Sequence, residues 1–264
     1  MNIMEVIKTR RSVRTFDGRE VSAEDKEKLC TYIDKIKNPY DIPVEFILLD
    51  AKEHGLSSPV IEGEHLYITA KIPKVECSEE AFGYSFEKMV LYAWSLGIGT
   101  TWIGGTLKRE LFDKAAETKD NEMMYCVSPL GYPAKEMSKN EIKMRKRIHA
   151  DERVPATELF FDKDFNTPLN ITDEKLKDAL EAVRFAPSAT NRQPWRIVKN
   201  GNSFHFYEQH AKELTGVLPW DVQKIDIGIA LCHFMSMLEN SKCTIENPNI
   251  ATSDNVYYIA TVIV

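Results

Sequence analysis

Ala186-Pro187-Ser188-Ala189-Thr190-Asn191-Arg192-Gln193-Pro194-Trp195 separates a helical run, Thr172–Phe185, from an extended run, Arg196–Lys199. The prolines punctuate the chain and set turns. Ser188, Asn191 and Gln193 offer donors and acceptors together, more than a solvated turn requires. Beside Trp195, that set suits the heteroatom edge of a flat ring system.

Outward from this loop, the chain echoes itself. Ser22–Lys37 is helical, with Leu29, Ile33 and Ile36 on one face, and Pro43 leads into an apolar strand, Glu45–Leu49. Thr172–Phe185 repeats the pattern with Leu176, Leu180 and Val183 before Pro194. Leu66–Ala70 and Phe204–Tyr207 read as the next strand of each copy. A long amphipathic helix with an early glycine then follows in each, carrying Gly83, Phe86, Met89, Val90, Ala93 and Leu96 or Gly228, Leu231, Phe234, Met235 and Leu238. An offset of 151 residues relates the two prolines and one of 145 the two glycines. Internal duplication accounts for this, with a chance echo as the alternative. Lys139–Pro155, basic and polar, reads as an exposed crossover between the copies. Further strands are expected at Met124–Leu130 and Val256–Val264. The strands do not alternate regularly with helices, and no Gly-x-Gly-x-x-Gly turn follows a strand, which disfavours a dinucleotide-type Rossmann site. The expected architecture is α+β, a mixed sheet covered by helices.

At 264 residues, 43% hydrophobic and 28% charged, the chain can bury a sizeable core as one large domain or two small ones. A net charge of -6 argues against nucleic-acid binding. Cys30, Cys77, Cys126, Cys232 and Cys243 are odd in number and form no Cys-x-x-Cys pair, so buried thiols in a reducing compartment are expected. No segment has a signal-peptide core or the roughly 20 apolar residues of a membrane span. A cytoplasmic protein without a membrane partner is expected. The six histidines show no ligand spacing and no metal is expected. No Gly-x-Ser-x-Gly elbow or Cys–His pair argues for covalent hydrolysis. Trp94, Trp102 and Trp220 lack the accompanying basic stripe of a base-stacking surface and read as core or interface.

Three further stretches could carry chemistry. Arg10-Arg11-Ser12-Val13-Arg14 follows a short helical run, Met4–Thr9. Its arginines either complement the helix dipole or form a clamp whose guanidinium forks bind phosphate oxygens. Gly97-Ile98-Gly99-Thr100-Thr101-Trp102-Ile103-Gly104-Gly105 follows the first long helix. A glycine C-cap explains Gly97 or Gly99 but not the pair Gly104-Gly105, whose missing side chains would let backbone N–H groups approach a flat ring. Lys143-Met144-Arg145-Lys146-Arg147 is either a solvated charge cluster or a second source of phosphate ligands.

Taken together, the Arg-Arg-Ser-x-Arg run and the Ser-Ala-x-Asn-x-Gln-Pro-Trp loop resemble the FMN-dependent nitroreductase family, and their arrangement resembles its duplicated single-chain branch. In the family the loop usually lies near the N-terminus; here it opens the last third. The resemblance implies a nitroreductase-like fold of two pseudo-symmetric halves, 1–152 and 153–264, forming an internal pseudo-dimer. It implies that Arg10, Arg11, Ser12 and Arg14 hold the FMN phosphate. Lys146 and Arg147 are matched to the family's basic residues after a Gly-Tyr-Pro strand end, here Gly131-Tyr132-Pro133. Gly104, or alternatively Gly105, would offer its N–H to the flavin N5, and Pro187, Ser188, Ala189, Asn191 and Gln193 would line the ring. NADH or NADPH would be the electron donor, and a nitroaromatic, a quinone or a similar planar small molecule the acceptor. No catalytic acid or base is named, since protons can come from water.

The halves differ in complementary ways. The first keeps the clamp and the glycine turn but has Asn38-Pro39-Tyr40-Asp41-Ile42 where the loop would be. The second keeps Ser188, Asn191 and Gln193 but has Phe161–Phe165, with Asp162 and Asp164, where the clamp would be. One site between the halves is expected, the other being emptied by like charge. A monomer would then suffice. Three alternatives remain: a flavin carrier or sensor without turnover, a related flavin enzyme such as a reductive dehalogenase or flavin-fragmenting enzyme, and a flavin-free structural protein.

Overall fold

The computed structural model describes residues 2–214, 216 and 218–264. Its first part runs α1 (Ile3–Thr9), α2 (Ala23–Ile33), β1 (Glu45–Asp50), β2 (Leu66–Pro73), α3 (Ser78–Ser95), α4 (Arg109–Ala115), β3 (Glu122–Met123), β4 (Val127–Leu130) and α5 (Lys139–Arg147). The second runs α6 (Ala156–Leu159), β5 (Phe160–Asp162), α7 (Glu174–Phe185), β6 (Trp195–Asn200), β7 (Ser203–Gln209), α8 (Val222–Ser236), β8 (Lys242–Thr244) and β9 (Val256–Ile263).

An α+β chain is what the pattern called for, but the strands divide into two sheets where one mixed sheet was expected. In the first sheet β2 is central, antiparallel to β1 on one edge and to β3 and β4 on the other. The second has the order β5-β6-β7-β9-β8 and is mixed, since only β5 pairs in parallel. A tight connection explains the β6–β7 pair: Asn200 pairs with Ser203, so Gly201, with φ +59°, and Asn202 form a two-residue hairpin turn.

Helix ends follow their capping residues. Ser22 accepts from the Asp25 N–H and Asp173 from the Leu176 N–H, starting α2 and α7 one and two residues later than the apolar periodicity places them. Behind α3, the Gly97 N–H donates to Trp94 and the Ile98 N–H to Ala93, the paired bonds of a Schellman stop with Gly97 at φ +79°. The C-cap reading of that glycine is therefore sufficient.

The long helices differ from the amphipathic pattern read in the sequence. α3 and α8 are buried on almost every side, because each packs on the other and on its own sheet, α3 on β2 and α8 on β6, β7 and β9. Gly83 and Gly228 stand at the crossing. The largest core cluster among the described residues includes Phe82, Phe86, Val90, Trp195, Phe206, Leu231 and Phe234, and a second one gathers Val13, Phe16 and Phe112. Polar groups are enclosed there too, among them Glu80, Glu87, Asp226 and His233. All five cysteines are free thiols; only Cys126 and Cys232 are fully buried.

Candidate functional site

The arginine run begins where α1 stops. Ser12 bridges in parallel to Thr100, the Val13 N–H donates to the Thr100 carbonyl, and Phe16 bridges to Pro133. In this extended segment successive side chains alternate, so the fully buried Val13 points into the core while Ser12 and Arg14 face the other way. Arg10, Ser12 and Arg14 consequently line one small cavity of about 70 Å³, and Arg11, held by Glu141, borders it too.

α5 completes this side. Ser138 caps it by accepting from the Glu141 N–H. Ser138 and Glu141 have capping-box spacing, but the Ser138 N–H donates to Thr15 Oγ1, which frees the Glu141 carboxylate for another task. That buried carboxylate accepts from Arg11 Nη1 at 2.8 Å and from the Arg14 N–H at 3.1 Å. One helical turn on, Arg145 lies on the same face and lines the cavity.

Arg10 is the most unusual group. Its side chain is 5% exposed, and Glu87 Oε1, 3.9 Å from Nε, is its ion-pair partner. Nε and Nη1 are buried without a hydrogen-bond partner. Burial lowers the Arg10 pKa, Glu87 opposes this and Arg145 adds to the lowering. Arg14 is lowered by burial, with Glu141 opposing and Arg145 adding, and Arg153 by burial and then by Arg10. Five guanidinium groups, of Arg10, Arg11, Arg14, Arg145 and Arg153, thus surround one cavity, with Asp151 among them. An orphaned buried donor is costly, and charge-assisted hydrogen bonds to phosphate oxygens would satisfy several at once. The donor set fits a phosphate group.

The opposite wall is the loop after α7. Pro187, Ser188 and Asn191 line the same cavity, so the clamp and the loop do meet. Thr190, Asn191 and Gln193 adopt φ of 50°, 59° and 52°, three left-handed non-glycine residues in one short loop. Such strain persists only where the surroundings impose it. Ser188 Oγ accepts from the Gln193 N–H, and the Ala189 N–H donates to both oxygens of the buried Asp226.

The two side-chain amides hydrogen-bond to the segment that follows α5. Asn191 Nδ2 donates to the carbonyls of His149 and Glu152, at 2.7 and 3.1 Å. Gln193 Oε1 accepts from the Val154 N–H at 3.0 Å. These bonds fasten segment 149–154 beside the cavity. Lys139–Pro155 is accordingly not a plain exposed crossover: it is α5 followed by this strap, which contributes Arg153. Beyond the strap a wider cavity of about 670 Å³ is bordered by Arg147, His149, Arg153, Thr190, Asn191 and Gln193.

Other expected residues stand apart. Lys146 and Arg147 are exposed. Lys146 borders a third cavity of about 430 Å³ and Arg147 the wider one, because they are turned away from the Glu141 face. Arg145 and Arg153 line the arginine cavity, which Lys146 and Arg147 do not border. The spacing of Glu141 and Arg145 could have flagged the first; no local pattern flags the second. Gly104 and Gly105 border none of these three cavities. The Gly104 carbonyl accepts from Arg109 Nη2, and that guanidinium stacks on the Trp220 ring 4.4 Å away. A Cβ on Gly105 would meet nothing within 4 Å, so packing does not require glycine there. Asp162 ends the edge strand β5; Asp164, exposed, accepts from the Asn166 N–H in a turn. Neither borders these cavities. Glu208, His210 and Asp221 come together with potential ligand atoms within 4.8 Å, a grouping the histidine spacing did not reveal. Among the described residues, no helix is long and apolar enough to cross a membrane.

Comparison with known proteins agrees with this architecture. Residues 2–238 match the family model described as "Putative TM nitroreductase". A "Putative NADH dehydrogenase/NAD(P)H nitroreductase" of Methanothermobacter thermautotrophicus is 24% identical over 168 residues, covering 58% of this chain and 88% of that protein. The crystal structure of a putative nitroreductase from Thermotoga maritima MSB8 superposes with a TM-score of 0.64 at 20% identity, covering 100% of this chain and 94% of that one. An oxidoreductase containing FMN superposes with a TM-score of 0.52 at 14% identity, covering 63% of this chain and 93% of that one.

Proposed function

We propose a function from one premise: this chain belongs to the putative TM nitroreductase family. The reading is an FMN-dependent oxidoreductase that takes electrons from NADH or NADPH and passes them to a nitroaromatic, quinone or similar planar acceptor. One flavin would be held per chain, between 1–152 and 153–264, which act as the two subunits of an internal pseudo-dimer. A monomer suffices on this reading.

The observation that carries it is Arg10: a buried guanidinium with two unpartnered nitrogens, in a cavity walled by Arg14, Arg145 and Arg153 on one side and by Pro187 and Ser188 on the other. The phosphate of FMN supplies the missing acceptors. Bound FMN would contribute the hydride chemistry; the chain's residues anchor and orient it. Arg11 and the Arg14 backbone are fixed by Glu141, so the clamp is preorganised. Gly104, or Gly105, keeps its proposed place beside the ring, as do Ser188, Ala189, Asn191 and Gln193.

A second reading, a flavin-binding carrier or sensor without turnover, is favoured by the hydrogen bonds that tie Asn191 and Gln193 to segment 149–154. Absorbance after FMN addition and desalting, repeated anaerobically with NADH and NADPH, separates the readings. Near one equivalent of flavin that bleaches promptly is expected. Retention without bleaching favours the carrier, and no retention removes both.

A further inference from the structure

Beneath the arginine cavity lies a buried pair that the flavin reading does not use. Glu87 on α3 and His233 on α8 are both fully buried, with Oε1 and Nε2 2.9 Å apart. Glu87 Oε2 accepts from Trp102 Nε1 at 3.0 Å. His233 Nδ1 is 2.8 Å from the Ala182 carbonyl on α7. A carbonyl oxygen only accepts, so Nδ1 carries a hydrogen. A neutral imidazole has one N–H, already used, and a carboxylate has none. The contact between Nε2 and Oε1 therefore needs a further proton, on the ring or on the carboxyl. In either arrangement the pair as a whole is electrically neutral.

This changes the meaning of Arg10. Glu87 is its nearest acid, yet the carboxyl's charge is already matched by the proton shared with His233. Glu141 is taken by Arg11, and Asp151 is ion-paired with Arg145. We propose that His233 is a positioning residue for the anion site: by sharing a proton with Glu87 it prevents Glu87 from neutralising Arg10, and leaves that guanidinium for a phosphate dianion. The inference rests on the phosphate reading of the cavity. It also ties α8 of the second half to the clamp of the first.

The test uses the whole chain and inorganic phosphate, titrated calorimetrically, with ¹⁵N NMR of the histidine rings. His233→Gln keeps a donor toward Glu87 but supplies no proton, so a charged carboxylate is left beside Arg10. Phosphate binding should weaken about tenfold, the scale of one charge-assisted hydrogen bond. Adding Glu87→Gln removes that charge and should restore binding. A structural role alone would give no such rescue. Wild-type spectra should show a hydrogen on His233 Nδ1 and a second proton bridging Nε2 to Glu87. Undiminished phosphate binding by His233→Gln, or a double variant no better than the single one, overturns the proposal. If His233→Gln does not fold, the wild-type spectrum decides, and absence of either proton overturns it. Failure of the wild type to bind phosphate overturns it through its premise; the bridging proton then shows that the cavity reading, and not the pair, was at fault.

Discussion

Gly83 and Gly228 meet reciprocally: a Cβ added to Gly83 would run into the carbonyl oxygen of Ile225, three residues before Gly228, and one added to Gly228 into that of Glu80, three residues before Gly83. Each helix thus presents the same local surface to the other, as at an isologous dimer interface. This supports the proposed descent of the two halves from one subunit.

The reciprocity is testable through stability. Gly83→Ala and Gly228→Ala should each destabilise the chain by roughly 2–3 kcal/mol, because backbone cannot move aside as a side chain can. The double variant should lose clearly less than the sum, since separating the helices for one methyl makes room for the other. Urea unfolding of the single and double variants measures this; full additivity would mean that the contacts are independent.

Arginine substitutions discriminate within the basic run. Arg14→Ala and Arg153→Ala should each weaken FMN retention by about tenfold or more, the worth of a charge-assisted hydrogen bond, with little loss of fold. Lys146→Ala should leave retention unchanged, because Lys146 is exposed and borders a different cavity. Fluorescence titration with FMN gives the three affinities. Equal losses in all three would point to a diffuse electrostatic effect.

What the residue pattern conveyed follows from what is local. Turn chemistry marked the loop 186–195, periodicity marked α7 and both central helices, and the arginine run marked one wall of the small cavity. The pattern could not tell that α3 and α8 are enclosed, because an apolar stripe looks the same whether or not the polar positions also meet a partner. For that reason nothing in the pattern set Glu87 or His233 apart. Arg145, which lines the arginine cavity, was hidden within a basic run whose helical phase was unread, and Lys146 and Arg147, named from that run, border other cavities. The strap was legible only as polar chain, since its hydrogen bonds come from residues some forty positions away, as in Asn191 to His149 and Gln193 to Glu152.

Those strap bonds give a third expectation. Asn191→Ala removes both hydrogen bonds to the carbonyls of His149 and Glu152, a loss of about 1–3 kcal/mol at this segment. Amide hydrogen exchange should rise across 148–154 while α3 and α8 stay protected. If flavin binds against this loop, its absorbance in the variant should shift as well. Unchanged exchange in the segment would show that the amides do not hold it.

Acid carboxyls at the helix crossing give a fourth, with a definite sign. Glu80 is almost fully buried, and burial raises its pKa from 4.5 to about 7, with Lys224 at 4.0 Å only partly opposing this. Asp226 is pushed well up by burial, against the Ala189 N–H that favours its ionised form, and Glu208 is raised by burial and by Asp221. A folded-state pKa above the unfolded value means the folded chain binds more protons, so stability falls as pH rises between the two values. For Glu80 that window runs from about 4.5 to about 7, and its contribution is on the order of 3 kcal/mol, fully expressed above the window. Glu80→Gln keeps the shape and removes the ionisation. Its stability relative to the parent, measured by urea unfolding from pH 4.5 to 8, should therefore increase with pH and level off above neutrality. A difference that stays flat across that range would mean that Glu80 is ionised in the folded chain, with Lys224 as a full counter-ion.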